Sequence, residues 1–194
     1  MEHFYEKIHG WFTFPQLYKQ IINHYPDGSH FVEVGVWKGK SASFMAVEIV
    51  NSGKNIKFDC VDTWLGSEEH TNPDSGFFEE NLVNNENWLY EHFLNNIEPV
   101  KHIITPVRKS SLEAAPLYED NSLDFVFIDA SHDYDNVLKD IKAWYPKVKP
   151  DIGVIAGHDY SWCDDVKKAV HHFFDCLDIK IQEGEGCWIA RKNK

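Results

Sequence analysis

The chain has 194 residues, a length that suits one domain with an adequate core and would cramp two. Its formal charge of -12 argues against a nucleic-acid backbone or an anionic membrane as partner, since either needs a concentrated basic face. No apolar run approaches the roughly 20 residues of a spanning helix, and Met1-Glu2-His3-Phe4 lacks a charged-then-apolar signal pattern, so a soluble cytoplasmic protein is expected. Cys60, Cys163, Cys176 and Cys187 show no C-x-x-C spacing and read as reduced thiols, with Cys60 in a strand core.

In chain order, Thr13-Phe14-Pro15 reads as a helix opening with a cap and an early proline. Phe14, Leu17, Tyr18, Ile21, Ile22 and Tyr25 then recur at helical spacing, and Asp27-Gly28 ends the segment. A strand from Phe31 to Val34 leads into a glycine loop, followed by a helical stripe of Ala42, Met45, Ala46, Ile49 and Val50. Ile56 to Val61 reads as the next strand and Ile103 to Val107 as a third, after which Ser110-x-x-Glu113 has capping-box spacing. Leu123 to Ile128 is the clearest strand, because a continuous apolar run suits a central parallel strand buried on both faces. Val137, Leu138, Ile141, Trp144 and Tyr145 form the helix behind it, and Gly153 to Ala156 a fifth strand. Val166, Ala169, Val170, Phe173 and Phe174 make a last helix. Ile179-Lys180-Ile181 and Trp188-Ile189-Ala190 then flank Glu183-Gly184-Glu185-Gly186 as a hairpin, which forces an antiparallel final strand.

Strands alternating with helices indicate a doubly wound α/β sheet in a single domain of residues 1–194. Residues 1–27 form an N-terminal helical segment and 28–194 the core. Residues 65–99 interrupt the alternation: Gly66 to Gly76 reads as loop, Phe78, Leu82, Trp88, Leu89, Phe93 and Ile97 as one or two helices, and the whole as a candidate substrate lid.

The stretch Glu33-Val34-Gly35-Val36-Trp37-Lys38-Gly39 carries the strongest chemical signal. A dinucleotide fold would place G-x-G-x-x-G here, its middle glycine admitting a pyrophosphate to the helix N-terminus. Trp37 fills that middle place and Glu33 would repel a diphosphate, so a phosphate-free, cationic ligand such as S-adenosylmethionine fits better. Asp62 ends the following strand at about the 20-residue offset where an acid meets cofactor ribose hydroxyls. A second cluster stands at two strand ends, Asp129-Ala130-Ser131-His132 and Gly157-His158-Asp159. Asp129, His158 and Asp159 could share a divalent ion, the imidazole leaning from pure magnesium chemistry toward manganese, iron, cobalt, nickel or zinc, with magnesium still open. The alternative is that these residues only cap and brace their turns. His132 stands three residues beyond Asp129 as a candidate base, while Trp64, Tyr134 and Tyr160 are candidate walls of an acceptor pocket. The N-terminal aromatics Phe4, Tyr5, Trp11, Phe12 and Phe14 could cover a neighbouring subunit's site in a homo-oligomer.

Glu33-x-Gly35-x-x-x-Gly39, Val61-Asp62-Thr63-Trp64, Ser122 to Asp129 and Gly157-His158-Asp159-Tyr160 together resemble the class I S-adenosylmethionine-dependent methyltransferases. Within them the chain looks like the sugar O-methyltransferases of antibiotic pathways and, more distantly, catechol O-methyltransferase. The resemblance covers about Gly28 to Lys194 and implies seven strands in the order 3-2-1-4-5-7-6, the seventh antiparallel. It implies cofactor contacts at Glu33, Gly35, Gly39, Asp62, Ser110, Ser111 and Asp129, metal ligands at Asp129, His158 and Asp159, and catalytic roles for His132 and Asp129. The metal it implies is magnesium or manganese, and the acceptor a hydroxyl of a small molecule or sugar. His158 departs from the family pattern, which more usually has an acid there. The competing readings are an NAD(P)-dependent oxidoreductase and a non-catalytic binding module on the same fold.

Overall fold

The apolar run ending at Val34 lies mid-sheet in the computed structural model, which describes residues 1–193. In chain order the elements are α1 (Pro15–His24), β1 (His30–Val34), α2 (Lys40–Ser52), β2 (Lys57–Asp62), α3 (Glu68–Thr71), α4 (Glu80–Asn84), α5 (Trp88–Ile97) and β3 (Ile104–Arg108). They continue with α6 (Ser111–Ala114), β4 (Phe125–Ile128), α7 (Tyr134–Trp144), β5 (Val154–Gly157), α8 (Asp164–Asp175), β6 (Gln182–Gly184) and β7 (Cys187–Arg191). The sheet order is β3-β2-β1-β4-β5-β7-β6, with β1 to β5 parallel and β7 antiparallel to both neighbours. This is the order the family resemblance implied.

Each face of the sheet buries one apolar layer. Phe31, Phe58, Phe125 and Phe127 point toward α1, α2 and α5, while Val32, Val126, Ile128 and Ile155 point toward α7 and α8. All four residues of β4 are buried, as its unbroken apolar run requires for a strand covered on both sides. Register places Val34 beside Ile128 and Ile128 beside Gly157. The segments leaving β1, β4 and β5 therefore emerge next to one another at the carboxyl edge.

Several boundaries differ from the sequence reading. The hairpin is displaced: β6 begins at Gln182 and its two-residue turn is Glu185-Gly186, with φ of 55° and 80°. Both turn residues are left-handed, the twist-matched geometry for a two-residue hairpin. Ile179 to Ile181 stays outside the sheet. The N-cap of α1 is Phe14, not Thr13, and the Glu185 carboxylate accepts from the Leu17 amide at 2.8 Å in the capping role. Part of the insert is core, since Leu82, Leu89, Phe93 and Ile97 are buried there and α5 packs on α2. The N-terminal aromatics fold back on their own chain, with Phe4, Tyr5 and Phe12 against the α2 layer.

Two features at the end of β1 have measurable consequences. Gly35 has φ of 85°, and a Cβ there would stand 2.0 Å from the Asp129 carbonyl oxygen. Gly53 is also left-handed, at 67°, but faces open space. Gly35→Ala is expected to cost several kcal/mol, against ~1 kcal/mol for Gly53→Ala, in urea unfolding. Equal losses would refute the close approach.

Glu33 is buried beneath the loop, where the Ser41 hydroxyl donates to Oε1 while Oε2 has no hydrogen-bond partner among the described residues. Burial pushes its carboxyl up from 4.5 to about 8, overriding the Ser41 hydrogen bond that favours the ionised form. The folded protein thus keeps this proton at pH values where the unfolded chain has lost it, so stability falls as pH rises between the two values. Glu33→Gln should remove that slope, gaining on wild type by up to ~1.4 kcal/mol per pH unit between pH 5.5 and 7.5 in urea unfolding. Parallel profiles would contradict it.

Candidate functional site

The carboxyl edge of the sheet opens into a cavity of about 810 Å³, large enough for a cofactor and an acceptor together. One end is built around the glycine loop. The Asp62 carboxylate, at the tip of β2, accepts from the amides of Val36 at 2.8 Å, Trp37 at 2.9 Å and Trp64 at 2.7 Å. These bonds hold Trp37 and Trp64 in left-handed conformations, with φ of 49° and 52°. Asp62 is thus foremost the anchor of the loop, though it still faces the cavity with lone-pair capacity for a hydroxyl.

Of the expected cofactor residues, Gly35, Asp62, Ser110, Ser111 and Asp129 line the cavity, whereas Glu33 and Gly39 do not. Glu33 lies beneath the loop. Gly39 instead admits a neighbouring helix: a Cβ there would come within 2.9 Å of the Phe93 ring on α5. Ser110 caps α6 in a capping box with Glu113, and Ser111 accepts from the Trp144 indole at 2.9 Å. Asp140 of α7 joins this end, buried on the cavity wall, and burial lifts its carboxyl to about 6 against the Ser111 hydrogen bond. It was missed in the sequence although it interrupts the buried stripe of Val137, Ile141 and Trp144, where an acid needs a reason.

The other end is the second cluster. Donor atoms of Asp129, His158 and Asp159 all lie within 4.8 Å of one another. His158 Nδ1 stands 3.7 Å from Asp129 Oδ1 and 3.3 Å from Asp159 Oδ1. His132 Nε2 contacts Asp159 Oδ2 at 2.9 Å, and its Nδ1 is 4.0 Å from Glu69 of the insert. The parallel register of β4 and β5 makes this convergence, as the strand-end reading anticipated. Burial raises Asp129 to about 6, a shift that the His158 charge opposes and the Asp159 charge reinforces. Burial alone would raise Asp159 too, but hydrogen bonds with His132 and His158 hold it well below the carboxylate range. The bond to Asp159 lifts His132 to about 9.

Groups from distant segments support these donors. The Trp162 indole donates to Asp159 Oδ1 at 2.5 Å, and its ring lies so close to Gly186 that a Cβ there would come within 2.3 Å. Thr13 Oγ1 lies 2.9 Å from His158 Nε2. The mouth is formed by Trp11, Phe77 and Trp162, all exposed, with Trp11 and Phe77 edge to face at 5.6 Å. Inside, His70 stacks on Trp37 at 4.1 Å. Trp64, Tyr134 and Tyr160 are not on this wall: Trp64 is buried against Phe93, and the two tyrosines bond His172 and His171 of α8. The helices were read in the sequence, but these contacts with them are not visible from loop position alone.

The donor sets can be tested against their expected ligands. The five acids Asp62, Glu69, Asp129, Asp140 and Asp159 line the cavity against two lysines, Lys40 and Lys109, a balance that suits a sulfonium and an ammonium better than a diphosphate. Two carboxylates and an imidazole facing inward suit a divalent cation.

Residues 32–160 match the family described as "Methyltransferase domain". A curated relative, the uncharacterized protein y4gI of Sinorhizobium fredii, is 27% identical over 159 residues, covering 81% of this chain but only 16% of its own length. The chain thus spans about one sixth of that relative. The solved structure of the O-methyltransferase NovP shares the fold with a TM-score of 0.68 at 16% identity, over 93% of this chain and 79% of that one. Aeropyrum pernix fibrillarin with natively bound S-adenosyl-L-methionine gives 0.51 at 13%, over 85% and 67%. With sheet order and glycine loop in agreement, the chain belongs to the methyltransferase-domain family and has the class I, S-adenosylmethionine-dependent methyltransferase fold.

Proposed function

We propose that this domain transfers the methyl group of S-adenosylmethionine to a hydroxyl of a small molecule or sugar, with a divalent cation held by Asp129, His158 and Asp159. The observation that carries the reading is the convergence of those three donors within 4.8 Å on the wall of the cavity that also holds the glycine loop. The likeness to NovP, an O-methyltransferase, supports the same reaction class. The three donors line the cavity, so an acceptor with two neighbouring oxygens could reach a cation that they would hold.

S-adenosylmethionine supplies an already activated methyl group, so the residues around it have only to bind, orient and exclude water. The loop from Gly35 to Trp37, together with Asp62, holds the methionine and ribose portions, and Ser110, Ser111 and Asp140 surround the base. Asp129, His158 and Asp159 would hold a divalent cation, which would supply Lewis acidity toward an acceptor hydroxyl and offset the two carboxylates' charge. His132 receives the hydroxyl proton at Nε2, the atom now facing Asp159. Its proton is held by that carboxylate up to about pH 9, so the basic form gains as pH rises or as Asp159 is otherwise engaged. Trp11, Phe77 and Trp162 shield the mouth and contact the body of the acceptor.

Thermal shifts with S-adenosylhomocysteine, NADH and ADP-ribose, each with and without Mn²⁺, test the ligand assignment. Stabilisation by the first alone, increased by Mn²⁺, is expected; stabilisation by NADH would revive the oxidoreductase. Asp129→Asn should abolish turnover on a diol acceptor while leaving S-adenosylhomocysteine affinity within a few-fold. His132→Gln should lose on the order of 10²–10⁴ in rate, together with the rise toward alkaline pH. Asp62→Ala should weaken cofactor binding first. The opposite split between Asp129 and Asp62 would reject the roles.

A further inference from the structure

We infer that Asp140 is a specificity-determining residue for the cofactor, its carboxylate accepting a hydrogen bond from the 6-amino group of the adenine. The inference rests on the proposed cofactor and adds to it the group that reads the base. Asp140 is 5% exposed, yet it lines the cavity from the face of α7 that otherwise buries Val137, Ile141 and Trp144. A carboxylate held among apolar side chains destabilises the fold unless donors meet it.

The hydrogen bonds at this end of the cavity leave one acceptor open. The Trp144 indole can only donate, and its partner is Ser111 Oγ at 2.9 Å, so the Ser111 proton goes on to the Asp140 carboxylate. That bond uses one of about four lone-pair sites on the carboxylate. The neighbouring polar side chains are engaged with the protein itself. Ser110 Oγ donates to Glu113 Oε2 at 2.6 Å and accepts from the Glu113 amide at 3.4 Å. Asn136 Nδ2 donates to Asp133 Oδ2 at 2.9 Å, and the Lys139 ammonium reaches Asn136 Oδ1 at 3.5 Å. Asp133 disfavours the ionised form of Asp140 and Lys139 favours it, while burial is the largest influence and lifts the carboxyl to about 6. At pH 8 the group is therefore ionised, an acceptor with nothing to donate.

The surroundings select the kind of donor. Leu112, 47% exposed, lines the same cavity next to Ser111. An open apolar side chain close to an unfilled carboxylate suits a flat heteroaromatic ring with an amino group on its edge. Adenine carries that group, whereas hypoxanthine has an oxo oxygen in its place, which would face the carboxylate with no proton between them. A site built to hydrogen-bond a ligand N–H rejects the analogue without it, because its own buried polar group is then left unpaired.

The test is calorimetric titration of the full chain at pH 8, as wild type and Asp140→Asn, with S-adenosylhomocysteine, its 6-deamino analogue and S-inosylhomocysteine. Wild type should bind the first more tightly than the second on the order of 10- to 100-fold. In Asp140→Asn the Ser111 proton claims the amide oxygen, so the amide nitrogen faces the base as a donor. That variant should lose most of the preference and bind the inosyl compound at least as well as the adenosyl one. Equal wild-type affinity for S-adenosylhomocysteine and its 6-deamino analogue overturns this inference alone, and that comparison stands whether or not the variant folds. An unchanged ratio in a folded Asp140→Asn overturns it as well. A wild type that binds no S-adenosylhomocysteine overturns the cofactor reading and this inference with it.

Discussion

Two carboxylates and an imidazole confined within a few ångströms repel one another unless positive charge stands between them. That constraint governs the carboxyl edge of this sheet. Among the described residues the charge is supplied by protons: His132 and His158 are pushed toward their cationic forms and Asp129 toward its neutral form, while Asp159 stays ionised at the centre. A divalent cation would do the same work with fewer protons and leave His132 free to accept one. The cluster's electrostatics and its proposed chemistry therefore have one origin.

The fold maintains this arrangement by close backbone approach. Gly35 lets the glycine loop press on the carbonyl of Asp129, so the end of β1 and the end of β4 are mechanically one unit. At Gly157 a Cβ would come within 2.5 Å of the Ile128 carbonyl and 2.6 Å of the Trp188 indole nitrogen, so β5 is equally tight against β4 and β7. The sheet interior is rigid for the usual reason of dense packing. Around it the covering pieces come from far along the chain: the segment before α1, the first half of the 65–99 insert, and the hairpin turn. Trp11 and Phe77 meet over the mouth, and Thr13 and Trp162 bring outside support to His158 and Asp159.

Residue type and spacing carried the alternation of strands and helices, the glycine loop and the strand-end cluster, while the sheet order came from the family resemblance of those motifs. Continuous apolar runs mark buried parallel strands, left-handed loop positions favour glycine, and strand ends in such sheets gather ligands, all of which are local rules. The same rules misplaced Thr13 as a helix cap, where a distant partner outcompeted the local pattern, and Ile179 to Ile181 as a strand, where a neighbouring turn did. Glu185 took the capping role at α1, and the two-residue turn at Glu185-Gly186 shifted the hairpin register.

What the sequence determined by itself is the chemistry available and the strand ends on which it stands: Asp62, Asp129, His132, His158 and Asp159 were all identifiable by position. Only the tertiary structure decided how each is used. Asp62 anchors the loop because two consecutive amides happen to point at it, and Glu33 holds its proton because the loop seals it from water. Asp140 and Thr13 join the site through a helix face and a chain segment that meet it only after folding. Hydrogen-bond direction and burial depend on neighbours remote in the chain, and no periodicity records them.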